Sequence, residues 1–79
     1  MIPGQNMDSL KLALKNASHD TTRCNVLNAM IEAEYDDNIW PLYNQQLKTL
    51  AEKNIPSAGS KRNFYLKYLA GALNNIGFY

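Results

Sequence analysis

Apolar residues recur along this chain at intervals of three and four, and no stretch alternates apolar and polar residues with a period of two. The first spacing places side chains on one face of a helix, whereas a half-buried strand requires the second. Leu10, Leu14 and Ala17 begin a series of helical segments that continues to the last residues. The sequence therefore predicts an all-α fold.

Turn-forming residues separate these helical segments. Asp20 or Thr21 is expected to cap the second helix and Asn38 the third, because a short side-chain oxygen can accept a bond from a free first-turn amide. Pro41 then falls in the first turn of the third helix, where its missing amide costs no intrahelical bond. The prediction is one domain over residues 1–79, with about four antiparallel helices at roughly 8–17, 21–35, 39–54 and 60–79.

Each predicted helix has an apolar face, and the last one also contains two glycines, Gly71 and Gly77. Glycine inside a helix costs about 1 kcal/mol relative to alanine. Its presence at that cost predicts that a neighbouring helix approaches closely. The buried faces are expected to contain Cys24, Leu27, Met30 and Ile31 in the second helix, Tyr43, Leu47, Leu50 and Ala51 in the third, and Tyr65, Leu69, Ala72, Leu73 and Ile76 in the last.

The charges are nearly balanced, with eight Lys and Arg against seven Asp and Glu and a net charge of +1. Such a balance provides no long-range attraction to nucleic acid or to anionic lipid. Lys61, Arg62 and Lys67 are interleaved with aromatic residues, but a solvated face explains them better than a nucleic-acid site does. Every apolar run is far shorter than the ~20 residues that cross a bilayer, so no membrane span is expected in this segment.

Three groups of residues could carry chemistry, and each has a simpler structural explanation. His19 and Asp20 have no nucleophile placed beside them, and a surface histidine next to a capping aspartate accounts for both. Cys24 lies on an apolar stripe and is expected in the core, while a reactive thiol is the alternative. The acidic run "EAEYDDN" lacks the glycine and spacing of a calcium loop. We therefore predict no enzymatic activity, no cofactor and no metal site.

The last eight residues, "ALNNIGFY", have the pattern of a helix without a stop signal. In the first helix of a tetratricopeptide repeat, a large residue is followed by an apolar residue, a glycine and an aromatic residue. Leu73, Ile76 and Gly77 match this order, and the segment resembles the opening helix of such a repeat. The chain is then expected to stop inside that helix. "NVLNAMIEAE" and "WPLYNQQLKTLAEKN" resemble the two helices of a preceding repeat, with "NIPSAGSKRNF" as an insertion.

The segment "DSLKLALKNASHDTTRCNVLNAMIEAE" is similar to the start of the sensory region of tetratricopeptide sensor proteins. These are membrane histidine kinases and nucleotide cyclases. The resemblance, from about Asp8 to Tyr79, implies helical hairpins of an incomplete solenoid, a role in signalling, and the extracytoplasmic side of a membrane. It also implies a protein, a peptide or further repeats as partners.

The aromatic and asparagine residues of the last two helices are the predicted binding residues. Repeat solenoids bind partners on a concave face, and asparagine can clamp an extended backbone. A last helix without a successor should also leave Tyr65, Leu69, Leu73 and Ile76 partly exposed and favour self-association. The alternative is a complete small helical regulator that binds a protein or DNA. The predicted site consists of Trp40, Tyr43, Tyr65, Tyr68, Leu69, Leu73, Asn74, Asn75 and Ile76.

Overall fold

The computed structural model describes residues 7–77, and nearly all of them are helical. This part of the chain contains four α-helices and no strand, which confirms the all-α fold. None of these helices combines the length and the apolar character needed to cross a membrane. In chain order the elements are α1 (Met7–Asn16), α2 (Asp20–Ala33), α3 (Trp40–Asn54), two short 3-10 turns (Ile55–Ser57 and Gly59–Lys61) and α4 (Arg62–Gly77).

Hydrogen bonds between helix ends show that α3 runs antiparallel to both α2 and α4. Asn54, the last residue of α3, donates from Nδ2 to Oδ2 of Asp20 at the start of α2 over 2.9 Å. Near the other end of α3, Asn44 donates from Nδ2 to the carbonyl of Ala72 in the second half of α4 over 3.0 Å. The helices α2 and α4 therefore point in the same direction, and both pack against α3.

The core lies where α2, α3 and α4 meet. Helix α1 packs against α2 and, within the described residues, does not reach α3 or α4. Because each helix packs mainly on its neighbours in sequence, the molecule is flat and measures 37 × 34 × 17 Å. The buried apolar residues are Cys24, Leu27, Met30, Leu47, Ala51, Tyr65 and Ala72.

The start of α3 differs from the prediction that Asn38 caps it. The helix follows Ile39, and no side chain forms a capping hydrogen bond there. Asp36 shapes the preceding turn instead, because its Oδ1 accepts from the Asn38 amide over 2.8 Å and its carbonyl accepts from the amides of Ile39 and Trp40. Pro41 lies in the first turn, as predicted.

Asp20 also has a different role from the predicted one. It lies within the first turn of α2, which no capping hydrogen bond from His19 closes. Its carboxylate instead accepts hydrogen bonds from Asn54 and from the guanidinium of Arg23. The hydrogen bond from Asn54, with help from Arg23, holds the pKa of Asp20 below its usual value even though partial burial acts in the opposite direction. This carboxylate thereby connects the start of α2 to the end of α3.

We expect Asp20 to contribute to the acid sensitivity of the fold. Because its pKa is lower in the folded chain than in the unfolded one, the ionised carboxylate stabilises the fold above the unfolded-state pKa of about 3.9. That contribution is lost as the pH falls through the folded-state pKa. Asp20→Asn should therefore lose less stability than the unmodified chain between about pH 5 and about pH 2, as measured by urea denaturation. Equal losses in the two proteins would contradict this role.

The glycines of the last part of the chain behave differently from one another. A Cβ added at Gly71 would meet no atom within 4 Å, so the close approach predicted there is wrong. The surroundings of Gly77 lie outside what the structure describes. Gly59 has a φ of +57°, a left-handed conformation that glycine adopts without strain. It begins the second of the two 3-10 turns, and with both turns present the segment predicted as a loop is largely an ordered connection.

Candidate functional site

A cleft of about 590 Å³ opens between the start of α3 and the end of α4. It brings together Trp40, Asn75 and Ile76, three of the predicted binding residues, from two different helices. The antiparallel packing of α3 on α4 creates this proximity, because it sets the first turn of one helix beside the last turn of the other. The complete lining consists of Asp37, Trp40, Pro41, Asn44, Gln45, Asn75 and Ile76.

Trp40 forms one wall of the cleft and is held in place by the turn before α3. Its indole Nε1 donates to Oδ1 of Asp37 over 3.0 Å. The ring is half-buried, so part of its apolar surface faces the solvent. A tryptophan presents a large apolar area with few rotatable bonds. An indole already oriented by a hydrogen bond loses little further freedom when a partner binds.

A buried asparagine forms the floor of the cleft. Asn44 is 1% exposed, and its Oδ1 accepts from Nδ2 of Asn75 over 2.9 Å while its own Nδ2 donates to the Ala72 carbonyl. A polar side chain buried this deeply requires hydrogen-bond partners. Asn75 therefore uses an amide hydrogen within the protein, where it joins α4 to α3.

Asn44 was not among the predicted site residues, although its position in the sequence carries a signal for burial. Asn44, Leu47 and Ala51 are spaced at i, i+3 and i+7, which places the asparagine on the buried face of α3. A polar residue at such a position is either strongly destabilising or paired. The spacing could have predicted burial, but only the packed structure identifies its partners.

Tyr65 is more deeply buried than predicted. The side chain is 5% exposed and belongs to the core, whereas it was expected to be partly exposed. Its ring meets the ring of Phe64 edge-on, with centroids 5.3 Å apart. Tyr68 is half-buried, and its hydroxyl donates to Oδ1 of Asn25 in α2. Burial raises the pKa of both tyrosines. Tyr65 and Tyr68 thus connect α4 to the core and lie outside the cleft.

The remaining predicted residues are divided between the core margin and the surface. Tyr43 and Leu69 are half-buried and pack against the core. Leu73 is 47% exposed and Asn74 is also exposed, yet neither lines the cleft. The structure therefore brings three of the nine predicted site residues together in the cleft, and the other six lie in the core, at its margin or on the surface outside the cleft.

A second concave surface, which residue spacing does not predict, lies between α1 and α3. It is a mostly apolar groove of about 500 Å³. The groove exists because α1 packs on α2 without reaching α3. The spacing of residues within one helix contains no information about a gap between two helices. Its lining consists of Leu14, Arg23, Leu27, Gln45, Gln46, Thr49, Leu50 and Lys53.

The structure provides neither a reactive thiol nor a cluster of metal ligands within residues 7–77. Cys24 is fully buried, in agreement with its predicted core position. Burial, and then the negative charge of Asp20, raise the pKa of its thiol to about 11, so the thiol is protonated at neutral pH and a poor nucleophile. Within residues 7–77, no three His, Cys, Asp or Glu side chains lie close enough together to hold a metal ion.

No protein-family model, curated protein or solved structure matches the chain. The cleft between α3 and α4 is the surface where three of the predicted binding residues lie together, the oriented Trp40 among them, beside the hydrogen bond that joins Asn75 to the buried Asn44.

Proposed function

We propose that this chain is a non-catalytic helical module that binds a protein or peptide segment in the cleft between α3 and α4. The observation that carries the proposal is the meeting of Trp40, Asn75 and Ile76 on one concave surface. The finer form of the proposal is a sensory scaffold of the tetratricopeptide type, in which such a surface would receive a signalling partner. This finer form is supported by the sequence resemblance alone.

The chemistry of the cleft favours an apolar side chain accompanied by a cation. Trp40, Pro41 and Ile76 provide apolar surface, and Asp37 is the charged member of the lining. The end of α4 carries the partial negative charge of a helix carboxyl terminus, and its last turn contains no basic residue to offset it. A segment with a lysine or arginine next to a large apolar residue is complementary to both features.

Trp40 makes binding directly measurable, because it is the only tryptophan of the chain. Peptides would be selected from a random phage-displayed library against the immobilised protein, then synthesised and titrated while tryptophan fluorescence is recorded. We expect the selected peptides to combine apolar and basic residues and to shift the emission of Trp40. Binders that leave the Trp40 emission unchanged would place recognition outside the cleft.

Ile76→Lys is expected to weaken the selected peptides at least about fivefold, because it removes an apolar contact and repels a basic partner. Ile76 is 48% exposed, so the substitution leaves the core intact. Leu12→Lys is the matched control, since Leu12 is an exposed leucine of α1 that does not line the cleft. Its affinity should equal that of the unmodified chain. An unchanged affinity of Ile76→Lys would overturn the assignment of the cleft.

A further inference from the structure

One flank of α4 carries four apolar residues in heptad register, Leu66, Leu69, Leu73 and Ile76, which we call the α4 seam. Their spacings of three, four and three are those of the a and d positions of a coiled coil. Leu66, Leu73 and Ile76 are 36%, 47% and 48% exposed, and Leu69 is half-buried. Single exposed leucines are ordinary, but a continuous row in this register is a surface for another helix.

The charges of α4 are confined to its first half. Lys61 directly precedes the helix, Arg62 begins it and Lys67 follows, whereas residues 68–79 contain no charged side chain. The last turn also lacks a basic residue, so the partial negative charge of the helix end is not offset within α4. This helix is therefore positive at one end and weakly negative at the other.

The distribution of charge along α4 favours one orientation of a partner helix. Two copies of α4 in parallel would bring Lys61, Arg62 and Lys67 of one copy beside the same residues of the other, which is unfavourable. Two antiparallel copies would place the basic start of each helix beside the carbonyl end of the other. We propose that the α4 seam binds the α4 seam of a second copy of this chain in an antiparallel, two-fold symmetric pair.

The register of this pair follows from the heptad positions. In an antiparallel coiled coil the a positions of one helix face the d positions of the other, so Leu66 faces the partner's Ile76 and Leu69 faces the partner's Leu73. The seam is about 15 Å long, at about 1.5 Å per residue. Its contact area is small compared with a standard interface of about 800 Å² per partner, so the pair is weak and dissociates on dilution.

Sedimentation equilibrium tests whether the α4 seam mediates dimerisation. Between about 10 μM and about 1 mM, where small interfaces associate, the average mass should rise from 8.9 kDa towards twice that value. Leu73→Asp should raise the dimer dissociation constant at least about tenfold, because each pair would then contain two charges facing leucines. Leu12→Asp is the control and should associate like the unmodified chain. A constant mass of 8.9 kDa, or association that survives Leu73→Asp, would overturn the proposal.

Disulfide cross-linking tests the orientation. Leu66→Cys and Ile76→Cys chains are mixed and oxidised, with the unmodified chain as the control for the buried Cys24. Antiparallel pairing predicts that the mixed disulfide between positions 66 and 76 dominates. Positions 66 and 66 of such a pair are too far apart for a bond, since bridged Cα atoms lie within about 7 Å. Products dominated by 66–66 and 76–76 disulfides would overturn the antiparallel arrangement. Ile76 belongs to both the seam and the cleft, whereas Leu73 belongs to the seam alone, so Leu73→Asp should abolish pairing and leave peptide binding in the cleft unchanged.

Discussion

Replacing Leu47 with alanine is expected to lower the free energy of unfolding by about 2 to 5 kcal/mol. Leu47 lies on the buried face of α3, and its side chain is almost fully enclosed between α2 and α4. The flat arrangement leaves only a small core, so few neighbouring side chains can move into the space that is vacated. Small domains are stable by only about 5 to 15 kcal/mol, and the loss is therefore a large part of the total.

Urea denaturation followed by far-ultraviolet circular dichroism measures this effect. Leu42→Ala is the matched control, because Leu42 is an exposed leucine of the same helix. Its substitution should change the free energy of unfolding by less than about 0.5 kcal/mol. Similar losses for the two variants would show that the buried face of α3 is misplaced.

Asn44→Asp is expected to destabilise the fold by several kcal/mol at neutral pH, a cost typical of a buried charge without a partner, about 3 to 5 kcal/mol. The substitution replaces the amide that donates to the Ala72 carbonyl with a second carboxylate oxygen. Two oxygens then face each other at 3.0 Å in a buried site. Asn74→Asp is the control, since Asn74 is an exposed asparagine of α4.

The pH dependence of the Asn44→Asp variant provides an independent check. Burial raises the pKa of such a carboxyl above its unfolded-state value of about 3.9. The penalty is therefore complete above the folded-state pKa and declines as the pH falls towards about 3.9, because the protonated group can again donate to the Ala72 carbonyl. The quantity to measure is the difference in unfolding free energy between the variant and the unmodified chain. A difference that is constant with pH would contradict the burial of this side chain without a charged partner.

The helices themselves were predictable to within one or two residues at the ends that the structure describes. A helix is specified by local periodicity, and the spacing of apolar residues contains that information. The start of α4 was placed two residues too early, because the connection continues through a second 3-10 turn that begins at Gly59. The predicted caps were wrong because Asp20 lies inside α2, where its carboxylate accepts from Asn54 and Arg23, and because α3 follows Ile39 and not Asn38.

The candidate site was predictable only in part. Trp40, Asn75 and Ile76 were each identified from their residue type and helical position, but their meeting in one cleft depends on how α3 packs against α4. Asn44 was missed because a polar residue on an apolar face has no visible partner in the sequence. The exposed Leu66 was missed because the α4 seam lies beside the face that packs on α3, and one-dimensional periodicity does not separate the two.

Residue spacing was thus sufficient to establish an all-α chain with a core built from one face of each of α2, α3 and α4. Tertiary packing decided which members of an apolar face are enclosed: Tyr65 is buried, whereas Leu73 and Ile76 of the same helix are half-exposed. The physical reason is that helix formation depends on contacts within about four residues, while burial depends on the angle and distance at which separate helices meet. The cleft, the groove beside α1 and the α4 seam all arise from that second, non-local level of structure.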